Sequence, residues 1–237
     1  MNKLFLALDF PTWEEANYFI NNNELQGVPV KVGMELFYRE GTRIIEQLKA
    51  NNHPIFLDLK LHDIPTTVMR AMRNLAKLEV DLVNVHALGG SDMIQRAKEG
   101  LQSASSSRHE TKLLAVTILT SMDEAMIQRD LGLQGTVEDN VIHLAELAET
   151  NGADGVVCSV HEAATIYEHC QKDFLTVTPG IRLETTDDND QKRIATPAVA
   201  KSLGASSIVV GRSITQAEDP LRAYEQAIKE WEHGNTN

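Results

Sequence analysis

Asp58, Lys60 and Asp63 crowd the end of one apolar run, Ile55-Phe56-Leu57-Asp58-Leu59-Lys60-Leu61-His62-Asp63-Ile64-Pro65. β-favouring residues behind Pro54, closed by the turn signal Asp63-Ile64-Pro65, predict a buried strand. Side chains alternate along a strand, so Asp58 and Lys60 are expected on one face. Unpaired buried charge is costly, and an acid beside a base in a strand core points to a site that uses both.

Other polar groups fall at the ends of apolar runs in the same way: Asp9, Lys31, His86, Thr120, Ser159 and the pair Gly211-Arg212. Gly211-Arg212 reads as half of a phosphate site, because glycine admits a close backbone and arginine supplies a bidentate cation. Arg182 strengthens the case for an anion. A glycine turn with a surface arginine is the bland alternative. The carboxylates Asp9, Asp58 and Asp63 raise the competing idea of Mg²⁺, but Lys31 and Lys60 would set positive charge against a dication, so no metal is expected. His161 and His169 read as surface or capping residues, His53 as a turn residue, and Cys158 as a small core residue. The acidic run 187–190 lacks the glycine and terminal glutamate of an EF loop and reads as a solvated loop.

The elements that must position these groups alternate. Strands are expected at 4–9, 28–33, 55–65, 81–86, 113–120, 154–159, 174–180 and 206–212. Helices are expected at 38–51, from Pro65 to about 78, to 101 after Gly89-Gly90, at 121–131, 137–150, 161–171, 197–203 and 215–231, and one opens at the capping box Thr12-x-x-Glu15. A polar loop is expected over 182–193. Eight strand-then-helix units in 237 residues suit a (β/α)₈ TIM barrel, whose working groups stand at the C-terminal strand ends. An open doubly wound sheet is the rival, but no G-x-G-x-x-G follows the first strand. No linker or composition break appears, so residues 1–237 are expected to form a single domain.

A net charge of −12 argues against nucleic acid as a partner. Two cysteines without paired spacing suit a reduced, cytoplasmic protein, and neither a membrane span nor a cleavable signal is expected.

The segment Asp58-Leu59-Lys60-Leu61-His62-Asp63-Ile64-Pro65, with Lys31, Pro179-Gly180-Ile181-Arg182 and Gly211-Arg212, closely resembles the orotidine 5′-phosphate decarboxylase family over essentially the whole chain. The resemblance implies decarboxylation of orotidine 5′-monophosphate to UMP without cofactor or metal. Lys60 would be the proton donor to C6, and Asp58 would sit against the substrate carboxylate. Lys31 and Asp63 would complete a Lys-Asp-Lys-Asp network. Asp9 would hold the ribose with Lys31, and Thr120 would lie near the pyrimidine. Gln191, Arg212 and the Gly211 backbone would bind phosphate, with Arg182 assisting from a closing loop that begins after Pro179. Asp63 and Thr67 would come from the neighbouring subunit of a homodimer. A Mg²⁺-dependent sugar-phosphate decarboxylase or aldolase on the same barrel, and a non-catalytic phosphate-binding module, are the alternatives. The former places an acid where this chain has Lys31.

Overall fold

Leu4, Leu6 and Leu8 join one apolar cluster, while Phe5 and Ala7 join another. Both faces of this strand are apolar because both are covered, the pattern of a parallel strand under helices. The computed structural model describes residues 3–104, 109–183 and 195–234. In it eight strands close into a barrel in chain order. They are β1 (Leu4–Ala7), β2 (Val30–Gly33), β3 (Ile55–Leu61), β4 (Leu82–His86), β5 (Lys112–Val116), β6 (Gly155–Val157), β7 (Leu175–Thr178) and β8 (Ser207–Val210). All neighbours pair in parallel, β8 with β1 included. The expected (β/α)₈ barrel is what the chain forms.

The helices are α1 (Trp13–Asn22), α2 (Met34–Glu40), α3 (Arg43–Ala50), α4 (Pro65–Ala76), α5 (Gly90–Gln102), α6 (Glu124–Leu131), α7 (Val137–Thr150), α8 (Val160–His169), α9 (Pro197–Ser202), α10 (Arg212–Thr215) and α11 (Pro220–His233). Thr12 caps α1 by accepting the Glu15 N–H at 3.2 Å, and Pro65 opens α4 where its missing N–H costs nothing. One expected helix divides: that at 38–51 breaks at Gly41, whose φ of 66° ends α2. The one expected at 215–231 begins later, as α11 at Pro220, and the short α10 precedes it over Arg212–Thr215. Among the described residues no helix is long and apolar enough to cross a membrane.

The smaller apolar cluster, including Phe5, Phe56, Leu114 and Val209, plugs the barrel, with the Phe5 and Phe56 rings edge to face at 6.0 Å. The larger cluster lies between strands and helices. At Gly100 of α5 a Cβ would run into the Met69 carbonyl of α4, so these helices pack backbone to backbone.

The strands end earlier than the apolar runs suggest: β5 stops at Val116 and β7 at Thr178. Beyond the last ladder bond the chain turns over the barrel mouth, so Thr120 and Pro179 stand on loops. One strand is irregular. β3 pairs Leu57 with Val83 but next Leu61 with Val85, and within that bulge Lys60 has φ of 51°.

Candidate active site

On β2, Val30 and Val32 face the helices, which turns Lys31 inward, and on β3 Phe56 plugs the barrel one layer below Asp58. Asp9 extends the inward series of Phe5 and Ala7. Alternation therefore lifts Asp9, Lys31 and Asp58 from separate strands into the barrel mouth. Lys60 arrives by another route. Its left-handed backbone in the bulge, not plain alternation, brings its amine to Asp58.

The charges form a chain of alternating sign. Lys31 Nζ lies 3.1 Å from Asp9 Oδ1 and 3.5 Å from Asp58 Oδ2, and Lys60 Nζ lies 2.6 Å from Asp58 Oδ1. Asp58 is buried and Asp9 largely exposed. Burial pushes the Asp58 carboxyl toward its neutral form, but Lys31, Lys60 and a hydrogen bond from Asn84 outweigh it and hold its pKa below the ordinary value. Burial likewise opposes the Lys31 charge, and Asp58 and Asp9 reverse that, leaving its pKa raised. Both are ionised at neutral pH. Gly33 leaves room for the Lys31 amine, which would lie 3.2 Å from an added Cβ.

These groups line a cavity of about 630 Å³ whose floor includes Phe56, Val157 and Val209. Of the residues expected at the site, Asp9, Lys31, Asp58, Lys60, Thr120, Pro179, Arg182, Gly211 and Arg212 all border it. Arg182 is buried and donates to its own Ile181 carbonyl at 3.0 Å. Its main-chain N–H bonds the Ala195 carbonyl at 2.9 Å, and the Ala195 N–H returns to Gly180 at 3.2 Å. Gln191 and the acidic run 187–190 lie outside the described residues.

Asp63 and Thr67 do not reach this cavity within the chain. The Asp63 carboxylate accepts its own Ile64 N–H at 2.7 Å, and both residues are exposed. Within one chain the charged series is Asp9, Lys31, Asp58 and Lys60, and the resemblance implies Asp63 only as a residue of the neighbouring subunit. His86 also stays off the cavity. It stacks on His62 with ring centroids 5.6 Å apart, and burial, His62 and Lys60 lower its pKa, so it is neutral at pH 7. Ser159 is buried at the start of α8, where its main-chain N–H donates to the Glu162 carboxylate at 2.8 Å. Cys158 is buried and Cys170 half-buried; burial, Glu149 and Glu146 push the Cys170 thiol up to about 11.

Asn84 is a site residue that sequence reasoning passed over. Its amide donates to Asp58 Oδ1 at 2.7 Å and its carbonyl accepts the Lys60 N–H at 2.7 Å. The signal was present, since Asn84 is a polar residue in register with inward-facing Leu82 on a buried strand. Ser121, Thr215 and Gln216 also border the cavity from loops and the short α10, where sequence periodicity is silent.

As to metal, Lys31 stands between the carboxylates of Asp9 and Asp58. Among the described residues no group of three or more His, Cys, Asp or Glu side chains could hold an ion.

A family profile described as orotidine 5′-phosphate decarboxylase / HUMPS matches residues 2–227. The chain belongs to this family. Orotidine 5′-phosphate decarboxylases of Bacillus pumilus and Bacillus cereus are 56% and 54% identical to it, over 96% and 97% of this chain and 97% of each relative. A crystal structure of orotidine 5′-phosphate decarboxylase from Lactobacillus acidophilus superposes with a TM-score of 0.86 at 44% identity, covering 98% of this chain and 99% of that one. A Geobacillus kaustophilus protein of solved structure reaches 0.85 at 45% identity, covering 96% and 99%. By family the chain is a decarboxylase, a carboxy-lyase, and the wider setting of its relatives is pyrimidine biosynthesis.

Proposed function

We propose that this chain decarboxylates orotidine 5′-monophosphate to UMP and CO₂, with Lys60 as the proton donor. The observation that carries this reading is the Lys60–Asp58 pair at 2.6 Å, set in a cavity that Gly211 and Arg212 also line. The C6–carboxylate bond breaks and its electron pair stays on C6, where the ring offers no delocalisation. A fixed ammonium is the stabiliser such a charge requires. Lys60 then gives its proton to C6, becomes a neutral amine, and regains a proton from water. Asp58 faces the departing carboxylate, and Lys31 with Asp9 holds the ribose. Thr120 borders the pyrimidine. The phosphate end takes Arg212, the Gly211 backbone, Gln191 and Arg182, and binding energy there, remote from C6, helps close the segment after Pro179 over the site.

The unit of function is a homodimer in which each subunit lends Asp63 and Thr67 to its neighbour, which suits the exposure of both. Residues 1–237 act as one barrel domain, in the cytoplasm, with UMP as product and neither cofactor nor metal. The magnesium-dependent sugar-phosphate chemistry of related barrels wants an acid where Lys31 stands. Purified protein incubated with orotidine 5′-monophosphate and excess chelator is expected to lose the orotate absorbance as UMP forms. Absence of turnover, or its abolition by chelator, overturns the reading.

A further inference from the structure

Asn84 is 1% exposed, and both polar ends of its side chain are committed to β3. One end binds the carboxylate that faces the proton donor, and the other binds the proton donor's own main chain. Between these two attachment points β3 leaves regular pairing with β4, and Lys60 takes its φ of 51°. A non-glycine residue in that region is strained and persists where its surroundings over-determine it. Here a side-chain carbonyl takes the Lys60 N–H within the irregular stretch of the ladder.

We propose that Asn84 is a positioning residue for the decarboxylation, fixing the Lys60 backbone and the Asp58 carboxylate in one rigid unit so that the ammonium is aimed at the reacting carbon. The inference rests on the reading of Lys60 and Asp58 as the working pair. Its physical content is that the Lys60 amine sits on a flexible four-carbon stem, and an ammonium on such a stem is precise only if both its root and its partner are held. Asn84 holds both. Displacement of about 1 Å in a group of this kind costs about 10²-fold in rate. The amide N–H also joins Lys31 and Lys60 in keeping Asp58 charged.

The test compares the full chain with Asn84→Ala and Asn84→Asp, measuring kcat and KM for orotidine 5′-monophosphate, UMP binding and the pH dependence of kcat. Asn84→Ala is expected to lower kcat by about 10²-fold while KM and UMP affinity move less than about threefold. Asn84→Asp keeps an acceptor for the Lys60 N–H but sets a second carboxyl against Asp58. Two carboxyls at that spacing share a proton, so kcat falls and the acid limb of its pH profile moves to higher pH. Should the alanine variant fail to fold, the isosteric variant decides by that profile. Values of kcat within about threefold of wild type together with an unmoved acid limb overturn the inference, even if the melting temperature drops, since Asn84 would then serve folding alone. A wild-type chain that does not turn over the substrate overturns the functional reading itself, which is a distinct result.

Discussion

Asp58 accepts Lys60 and Asn84 on one oxygen and faces Lys31 with the other, so its charge is satisfied on both sides before any substrate arrives. Lys60→Ala is expected to lower kcat by at least about 10³-fold while UMP still binds, because binding at the phosphate end does not require the amine. Wild-type kcat in that variant would remove Lys60 from its assigned role. The depressed Asp58 and raised Lys31 pKa values mean that their mutual stabilisation is fully present from about pH 4 to about pH 10. It is lost as pH falls through the folded value of Asp58 or rises through that of Lys31. Histidine governs the interval between. His53 donates through Nδ1 to the Val28 carbonyl at 2.7 Å and buries Nε2 with no hydrogen-bond partner among the described residues. Burial lowers its pKa, so below about pH 6.5 the unfolded chain binds a proton that the folded chain refuses. Thermal melting is expected to shift downward from pH 7 to pH 5, and His53→Asn to flatten part of that slope; an unaltered slope assigns it to other groups. Charged residues in apolar runs, such as Lys31, Asp58 and Lys60, announce themselves in a sequence because burying them needs a reason. Asn84 is quieter, since a buried amide is satisfied by ordinary hydrogen bonds and looks like any strand residue until its partners are seen.

At the level of elements, β3 carries the most information. Its composition marks it as a buried strand, yet its bulge depends on pairing with β4, which one strand's sequence does not encode. That is why alternation led to the right pair, Asp58 with Lys60, through an incomplete geometry. Helix breaks divide along similar lines. The split at Gly41 has a local cause in a residue suited to positive φ, whereas the early ends of β5 and β7 depend on where the closed barrel stops offering partners. The backbone approach of α4 and α5 at Gly100 gives a direct check. Gly100→Ala would press a methyl into the Met69 carbonyl, and is expected to destabilise the fold by about 1–3 kcal/mol despite alanine's better helix propensity. Chemical denaturation measures this, and a stabilised variant would show that the helices can separate at no cost.

For the whole molecule, one chain supplies the cavity, the charged series from Asp9 to Lys60, and Gly211 with Arg212, while Asp63 and Thr67 are exposed and do not line it. If these last two serve a neighbouring site, inactive chains should rescue one another. Lys60→Ala mixed with Asp63→Ala and allowed to exchange subunits would form hybrid dimers with one intact site. Roughly a quarter of wild-type activity is expected from random pairing of a twofold dimer. Mixtures no more active than their components would place the whole site within one chain. Barrel closure was legible from the count of strand-helix units, and so was the rim that gathers the polar strand ends. That a neighbouring chain completes the site is an expectation carried by family resemblance alone, because nothing in the spacing of Asp63 and Thr67 tells a group that serves its own barrel from one that serves another.

The left-handed backbone at Lys60 also bears on stability. Alanine is ordinarily the better tolerated of the two smallest residues, with glycine costing about 0.5–1 kcal/mol more in regular structure. At position 60 that ranking should invert. Both substitutions delete the amine, but only glycine adopts a φ of 51° without strain, so Lys60→Gly is expected to melt higher than Lys60→Ala. The lysine thus holds a strained backbone conformation while its amine pairs with the buried Asp58 carboxylate, so position 60 sets local strain against an ion pair.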